Sequence, residues 1–263
     1  MKTQLFQVDS FTKEPFKGNP AGVCILEKPA AEKWMQDLAM EMNLAETAFI
    51  YPEDDGYHLR WFTPITEVEL CGHATLATAH ILFETGILHE DQTAKFQTVS
   101  GQLTVTKQNN ILEMNFPATP ALPCPVSNAL RKALGGCKIL WSGKNNFDYL
   151  LEVESEAIIT EMRPDFGLLK KVDKRGVIVT AKSENPKFDF ISRFFAPAVG
   201  IDEDPVTGSA HCTLGPYWLA KLNKTNFTAY QASRRGGIVQ VKLIGDRVLL
   251  RGKAVTVFQI NLV

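Results

Sequence analysis

The chain says one thing twice, and that constrains its fold more than any other feature. The stretch "RWFTPITEVELCGHATLATAHIL" starts at Arg60, and "RFFAPAVGIDEDPVTGSAHCTLGPYWL" starts at Arg193. Both open on Arg, an aromatic residue and Phe, then Thr or Ala, then Pro. Both cross an acidic linker to a glycine, Gly72 or Gly208, and enter a run of small and apolar residues. The arginines are 133 residues apart and the glycines 136, so the second linker is three residues longer. Each helix-like run leads to a strand pair. "SGQLTVTKQNNILEMNF" turns at Asn109-Asn110, and "GGIVQVKLIGDRVLLRG" turns at Gly245-Asp246. A repeat of about half the chain length implies a duplicated lobe.

The segment "ATLATAHIL" has almost no polar face, and such a helix must be surrounded by protein. The expected class is therefore α+β. Two similar lobes each wrap a mostly antiparallel sheet around a central helix, with the active site in the cleft between them. Four prolines in "FPATPALPCPV", 116–126, suit neither helix nor central strand and mark the linker. The expected lobes are 1–117 and 118–251, with a strand at 252–263 returning to the first. Strands are expected at 4–9, 21–26, 47–51, 57–63, 96–106, 111–116, 147–153, 176–181, 189–196, 238–243, 247–251 and 254–261. "PAAEKWMQDLAMEMN" reads as an amphipathic helix with Pro29 in its first turn and Trp34, Leu38 and Met42 on one face. "SNALRKALGG" reads as another, capped by Ser127 and closed by Gly135.

Composition narrows the function classes. A net charge of −1 over 263 residues gives no electrostatic case for nucleic acid or an anionic membrane surface. No apolar run approaches the roughly 18–20 residues that cross a bilayer. The alternating N-terminal stretch lacks the apolar core of a signal peptide. The five cysteines are scattered and show no CxxC spacing, so the cytoplasm is the expected compartment.

Cys71 and His73 flank Gly72 and raise three options: a metal, a nucleophile or a redox centre. The second copy bears on all three. A racemase with two thiols needs a cysteine at each helix mouth, yet Cys71 falls opposite Thr207, and Cys212 lies inside its helix. No second Cys/His pair has ligand spacing, so no metal is expected, and Cys71 reads as a packed turn residue. His80 and His211 read as structural, His58 and His89 as exposed. The first N–H groups of a buried helix lack internal partners, and the helix dipole adds positive potential, so each mouth can hold an anion. Proton chemistry needs a group that takes and returns a proton. His73 qualifies by type, as does Glu46 among the apolar residues of "MNLAETAFIY".

These residues carry a resemblance. "FKGNPAGV", "NLAETAF", "RWFTP", "ELCGHATLATA" and "GIDEDPVTGSAH" stand in the order of the PhzF family of phenazine-biosynthesis-like isomerases, in the diaminopimelate epimerase-like superfamily. The resemblance implies cofactor-independent, metal-independent isomerisation of a small carboxylate-bearing substrate. It implies that Glu46 is the proton shuttle, with His73 and Asp204 completing the catalytic set. It implies substrate binding by Gly72, Gly208, Ser209 and Thr207, no cofactor, and a homodimer. Ala45 departs from the family, which commonly has Ser before the glutamate. A lyase eliminating water from a hydroxy acid would use the same base; a silent binder of small acids or of protein partners is the other alternative, and the retained Glu46, His73 and Asp204 argue against it.

Overall fold

The computed structural model describes residues 4–262. The chain divides into two compact units, one running to Asn115 and resuming at Arg251, the other spanning Phe116–Leu250.

The first unit contains β1 (Gln4–Ser10), β2 (Asn19–Ile25), α1 (Glu32–Met42), β3 (Glu46–Glu53), β4 (Gly56–Phe62), β5 (Glu67–Val68), α2 (Gly72–Glu84), β6 (Ala94–Thr98), β7 (Gly101–Gln108) and β8 (Ile111–Pro117). Pairing runs β1–β2 antiparallel, β2–β3 parallel, β3–β4 antiparallel, β4–β6 parallel, then β6–β7 and β7–β8 antiparallel. A parallel pair needs a long crossover, and a helix supplies it. Here α1 joins β2 to β3, and α2 lies between β4 and β6 in the chain.

The second unit repeats this plan. It contains β9 (Leu122–Pro123), α3 (Asn128–Ala133), β10 (Ile139–Lys144), β11 (Asp148–Val153), α4 (Glu156–Glu161), α5 (Phe166–Leu169), β12 (Gly176–Lys182), β13 (Phe190–Phe195), α6 (Gly208–Leu222), β14 (Asn226–Gln231), β15 (Gly237–Ile244) and β16 (Arg247–Gly252). From β10 to β15 the pairings alternate antiparallel, parallel, antiparallel, parallel, antiparallel, the same sequence of steps as β1 to β7. The last strand, β17 (Ala254–Asn261), returns to the first unit and pairs antiparallel with β1.

Each unit is built around its long crossover helix. Ten of the thirteen residues of α2 are buried, among them Leu76, Ile81, Leu82 and Phe83. Burying each of those four stabilises the fold by about 1.5–3 kcal/mol relative to exposure. Helix α2 packs on β1, β2, β3 and β17, and α6 packs on β15 and β11. The helix expected from apolarity all round is thus present in both copies. The bidentate pairs of Arg60 with Glu67 and of Arg193 with Glu203 also repeat, with N–O distances of 2.6–2.8 Å. Each guanidinium also lies over the phenylalanine two residues on, Phe62 or Phe195. Among the described residues no helix is long and apolar enough to cross a membrane.

Four local expectations are corrected. The strand expected at 96–106 is two, β6 and β7, because Val99 and Ser100 form a turn where Gly101 takes φ +97°. Pro29 lies ahead of α1, whose N-cap is Ala31. The expected face does reach the core, with Leu38 and Met42 packed against it and Trp34 against Phe49, but the residues α1 buries fully are Met35 and Ala39. His58 is half-buried, stacked on Tyr51 and bonded to Glu53. Strands β10 and β14 and helices α4 and α5 escaped the sequence reading because their apolar runs are short or interrupted. Ser127 does cap α3, accepting from the Leu130 N–H at 3.1 Å, and Gly135 follows that helix at φ +76°.

Candidate active site

In the first unit, the chemistry gathers at the start of α2. Strand β3 begins at Glu46, which pairs in register with Ala21 of the parallel strand β2. Strand β2 also carries α2 on its face, so Glu46 arrives beside the helix mouth. A Glu46 carboxylate oxygen lies 3.3 Å from His73 Nε2, and the two side chains are 13% and 7% exposed. The contact is within ion-pair reach but is not aligned as a hydrogen bond, and Nε2 has no hydrogen-bond partner among the described residues. Burial lowers the His73 pKa to about 4, against a smaller raising effect from the Pro20 carbonyl that accepts its N–H. His73 is therefore a neutral imidazole at neutral pH.

Several contacts fix the backbone and the ring of His73. The hydroxyl of Ser10 donates to the His73 carbonyl at 2.7 Å. Cys71 Sγ stands 3.4 Å from Nδ1. The "FKGNPAGV" segment supplies Pro20, and its entry depends on Gly18. That residue takes φ +63°, and a Cβ there would meet the Ser10 carbonyl oxygen at 2.1 Å.

In the second unit, α6 opens in the same way. Neither Cys71 nor Thr207, the two N-cap residues, caps its helix with its side chain. Instead, Thr207 Oγ1 donates to Asp204 at 2.5 Å. Gln231, fully buried, accepts from the Thr207 N–H and donates to the Asp204 carbonyl. One turn in, Thr75 Oγ1 donates to the Cys71 carbonyl, and His211 Nδ1 occupies the same place against the Thr207 carbonyl at 2.8 Å. His211 is thus structural, as expected. So is His80, which is bonded to Thr256. His89 is exposed, as expected. Cys212 is buried inside α6, its thiol pushed up to about 12 by burial. Cys71 is buried, as a packed turn residue should be, but it also touches His73.

Strand register shows how the two copies diverge. Thr47 pairs with Phe62, and Val177 pairs with Phe195. Since Phe62 and Phe195 are equivalent in the repeat, Glu46 is equivalent to Gly176 and Ala21 to Asp148. The second unit therefore has no acid where the first has Glu46, and any side chain there would have to displace Phe194. A Cβ on Gly176 would lie 2.4 Å from the Phe194 ring. Arg175 stands beside that glycine instead. Its guanidinium is gripped by buried Asp148, lies over the Phe147 and Phe194 rings, and donates to Ser209 Oγ at 3.0 Å. The first unit thus holds a carboxylate against its helix mouth and the second holds a cation.

Sequence reasoning found Glu46, Gly72 and His73 in the first unit and Asp204, Thr207, Gly208 and Ser209 in the second. The structure brings each set together within its own unit. Arg175 and Gln231 were missed. Neither lies in a quoted motif, and only register and tertiary packing bring them to the helix start.

Comparison with known proteins follows the same line. Residues 8–260 match the family model described as phenazine biosynthesis-like protein, PhzC-PhzF. An uncharacterized isomerase of Halalkalibacterium halodurans is 54% identical over 263 residues, covering 100% of this chain and 99% of its own. The crystal structure of a PhzF-family phenazine biosynthesis protein from Enterococcus faecalis superposes with a TM-score of 0.94 at 43% identity, covering 98% of each chain. A hydroxyproline epimerase from Agrobacterium vitis shares the fold at 11% identity, with a TM-score of 0.63 over 100% of this chain and 94% of its own.

Proposed function

We propose, from the premise that this chain belongs to the PhzC-PhzF family of phenazine biosynthesis-like proteins, that it is an isomerase that moves a proton on a small carboxylate-bearing substrate without a cofactor. The observation that carries this reading is the Glu46–His73 pair, a carboxylate 3.3 Å from a buried neutral imidazole. Glu46 takes a proton from one substrate carbon and returns it to another. A neutral His73 suits this work, because an imidazolium would hold Glu46 as a fixed ion-pair partner and weaken it as a base. Its N–H is committed to Pro20, which leaves Nε2 with a lone pair toward the carboxylic acid that Glu46 becomes after taking the proton.

Substrate anchoring falls to the helix mouths. The N–H groups at Gly72 and at Gly208 each offer a carboxylate-binding site at their own helix start, helped by the dipoles of α2 and α6. In the second unit Asp204, Thr207 and Ser209 are the substrate-binding groups beside Gly208, and Gln231 holds Asp204 and Thr207 in place. Arg175, preset by Asp148 and the two aromatic rings, adds charge-assisted binding beside Ser209. The second unit's lack of an acid gives one shuttle per chain. A cytoplasmic homodimer completes the proposal, and the near-zero net charge supports the absence of nucleic-acid and anionic-membrane partners.

The test is hydrogen exchange. Candidate small acids are incubated with the protein in D2O and followed by proton NMR. A substrate loses a carbon-bound proton signal with the wild type. Removing the general base with Glu46→Gln should slow this by roughly 10²–10⁴-fold. Exchange by Glu46→Gln at the wild-type rate would end the assignment.

A further inference from the structure

One side-chain cluster in the first unit has a chemistry that proton transfer does not use in full. Cys71, His73 and Glu46 each offer a ligand atom, and these atoms lie within 4.8 Å of one another. A thiol, an imidazole and a carboxylate are the three ligand types that zinc accepts, and sites with three protein ligands keep a fourth position open. From the Glu46–His73 pair outward, proton transfer needs no sulfur. Yet Cys71 is 6% exposed and its Sγ is turned to His73 at 3.4 Å.

We infer that Glu46, Cys71 and His73 together form a binding site for a zinc-class divalent cation at the mouth of α2. His73 is 6% exposed, and its Nε2 has no hydrogen-bond partner among the described residues. A buried polar atom without a partner carries a desolvation cost, and a metal bond removes it. Zinc bond lengths of roughly 2.0–2.3 Å place tetrahedral ligand atoms roughly 3.3–3.8 Å apart, so the cluster contracts by about an ångström on binding. Rotation of the Glu46 and Cys71 side chains supplies that movement. Cys71 gives up its thiol proton to solvent and binds as thiolate, one ring nitrogen of His73 binds through its lone pair, and Glu46 binds through a carboxylate oxygen. Nothing is oxidised or reduced. The mixed donor set selects zinc or cobalt over magnesium or calcium, which require oxygen ligands. On the proposed function, a bound metal holds the shuttle carboxylate and stops proton transfer. The binding site itself is measured without any substrate and stands independently of that function.

The experiment uses Co2+ as a spectroscopic probe on the full chain, with Zn2+ as competitor. The expected result is one equivalent bound, with a cobalt–thiolate charge-transfer band and tetrahedral visible bands that Zn2+ abolishes. Cys71→Ser should remove the charge-transfer band. His73→Gln and Glu46→Gln should each weaken binding by more than the roughly 10–100-fold typical of losing an outer contact. A variant with Cys124 and Cys137 both changed to Ser should keep the spectrum. X-ray absorption of the wild-type zinc complex, which needs no variant, should show one sulfur with nitrogen and oxygen neighbours. Absence of the band in the wild type, its survival in Cys71→Ser, or a zinc shell without sulfur overturns the inference.

Discussion

His211 offers the sharpest prediction. Its ring is fully buried, Nδ1 is bound to the Thr207 carbonyl at 2.8 Å, Nε2 has no hydrogen-bond partner among the described residues, and Phe190 lies stacked beside it. Burial lowers its pKa from 6.5 to about 4. Between those values the unfolded chain binds a proton that the folded chain refuses. Stability is therefore unaffected by this group above about pH 6.5, falls as pH drops, and stops falling below about pH 4. At 1.36 kcal/mol per pKa unit, the full loss is about 3 kcal/mol, of which about 2 kcal/mol has gone by about pH 5. His211→Asn keeps a donor for the Thr207 carbonyl and removes the titration. The assay is urea unfolding of both proteins from neutral pH down to about pH 4.5. Carboxylate contributions are common to both, so the difference isolates His211. The stability gap between wild type and variant should narrow, or reverse, by about 2 kcal/mol on acidification. Parallel curves would refute the reasoning, as would an NMR titration that places the His211 ring near its ordinary pKa.

Three further outcomes follow from the same structure. Gly18→Ala, at φ +63° and with its new Cβ 2.1 Å from a carbonyl oxygen, should cost about 2 kcal/mol or more and displace Pro20 from His73. Thermal unfolding reads the first effect and the His73 proton chemical shifts read the second. Arg193→Met leaves Glu203 and the Ile159 and Met162 carbonyls without their guanidinium, which should destabilise the second unit by about 3–5 kcal/mol in chemical unfolding. Arg175→Met should raise KM for the substrate found by exchange by about 10-fold or more, with kcat nearly unchanged, since the residue anchors rather than shuttles.

Much of this protein was legible in its sequence. The repeat alone gave two units around two buried helices, because a helix apolar on every side has only one stable environment. The motif order gave the family and carried Glu46 and His73 as partners. Missing cysteine symmetry argued against a pair of thiols, and in the structure Thr207 holds the N-cap place of α6 that Cys71 holds in α2. Spacing along the chain, however, cannot see register. That Glu46 is answered by Gly176, and Ala21 by Asp148, follows only from which strands lie side by side and in which alignment. The same holds for Arg175, whose role depends on Asp148 and Ser209 distant in sequence. That Glu46 stands within ligand distance of Cys71 and His73 likewise follows only from the parallel pairing of β2 and β3. Local sequence encodes period, caps and turns, because those act over a few residues. The site is decided by long-range pairing, where one residue of slip would turn Glu46 to the opposite face of its sheet.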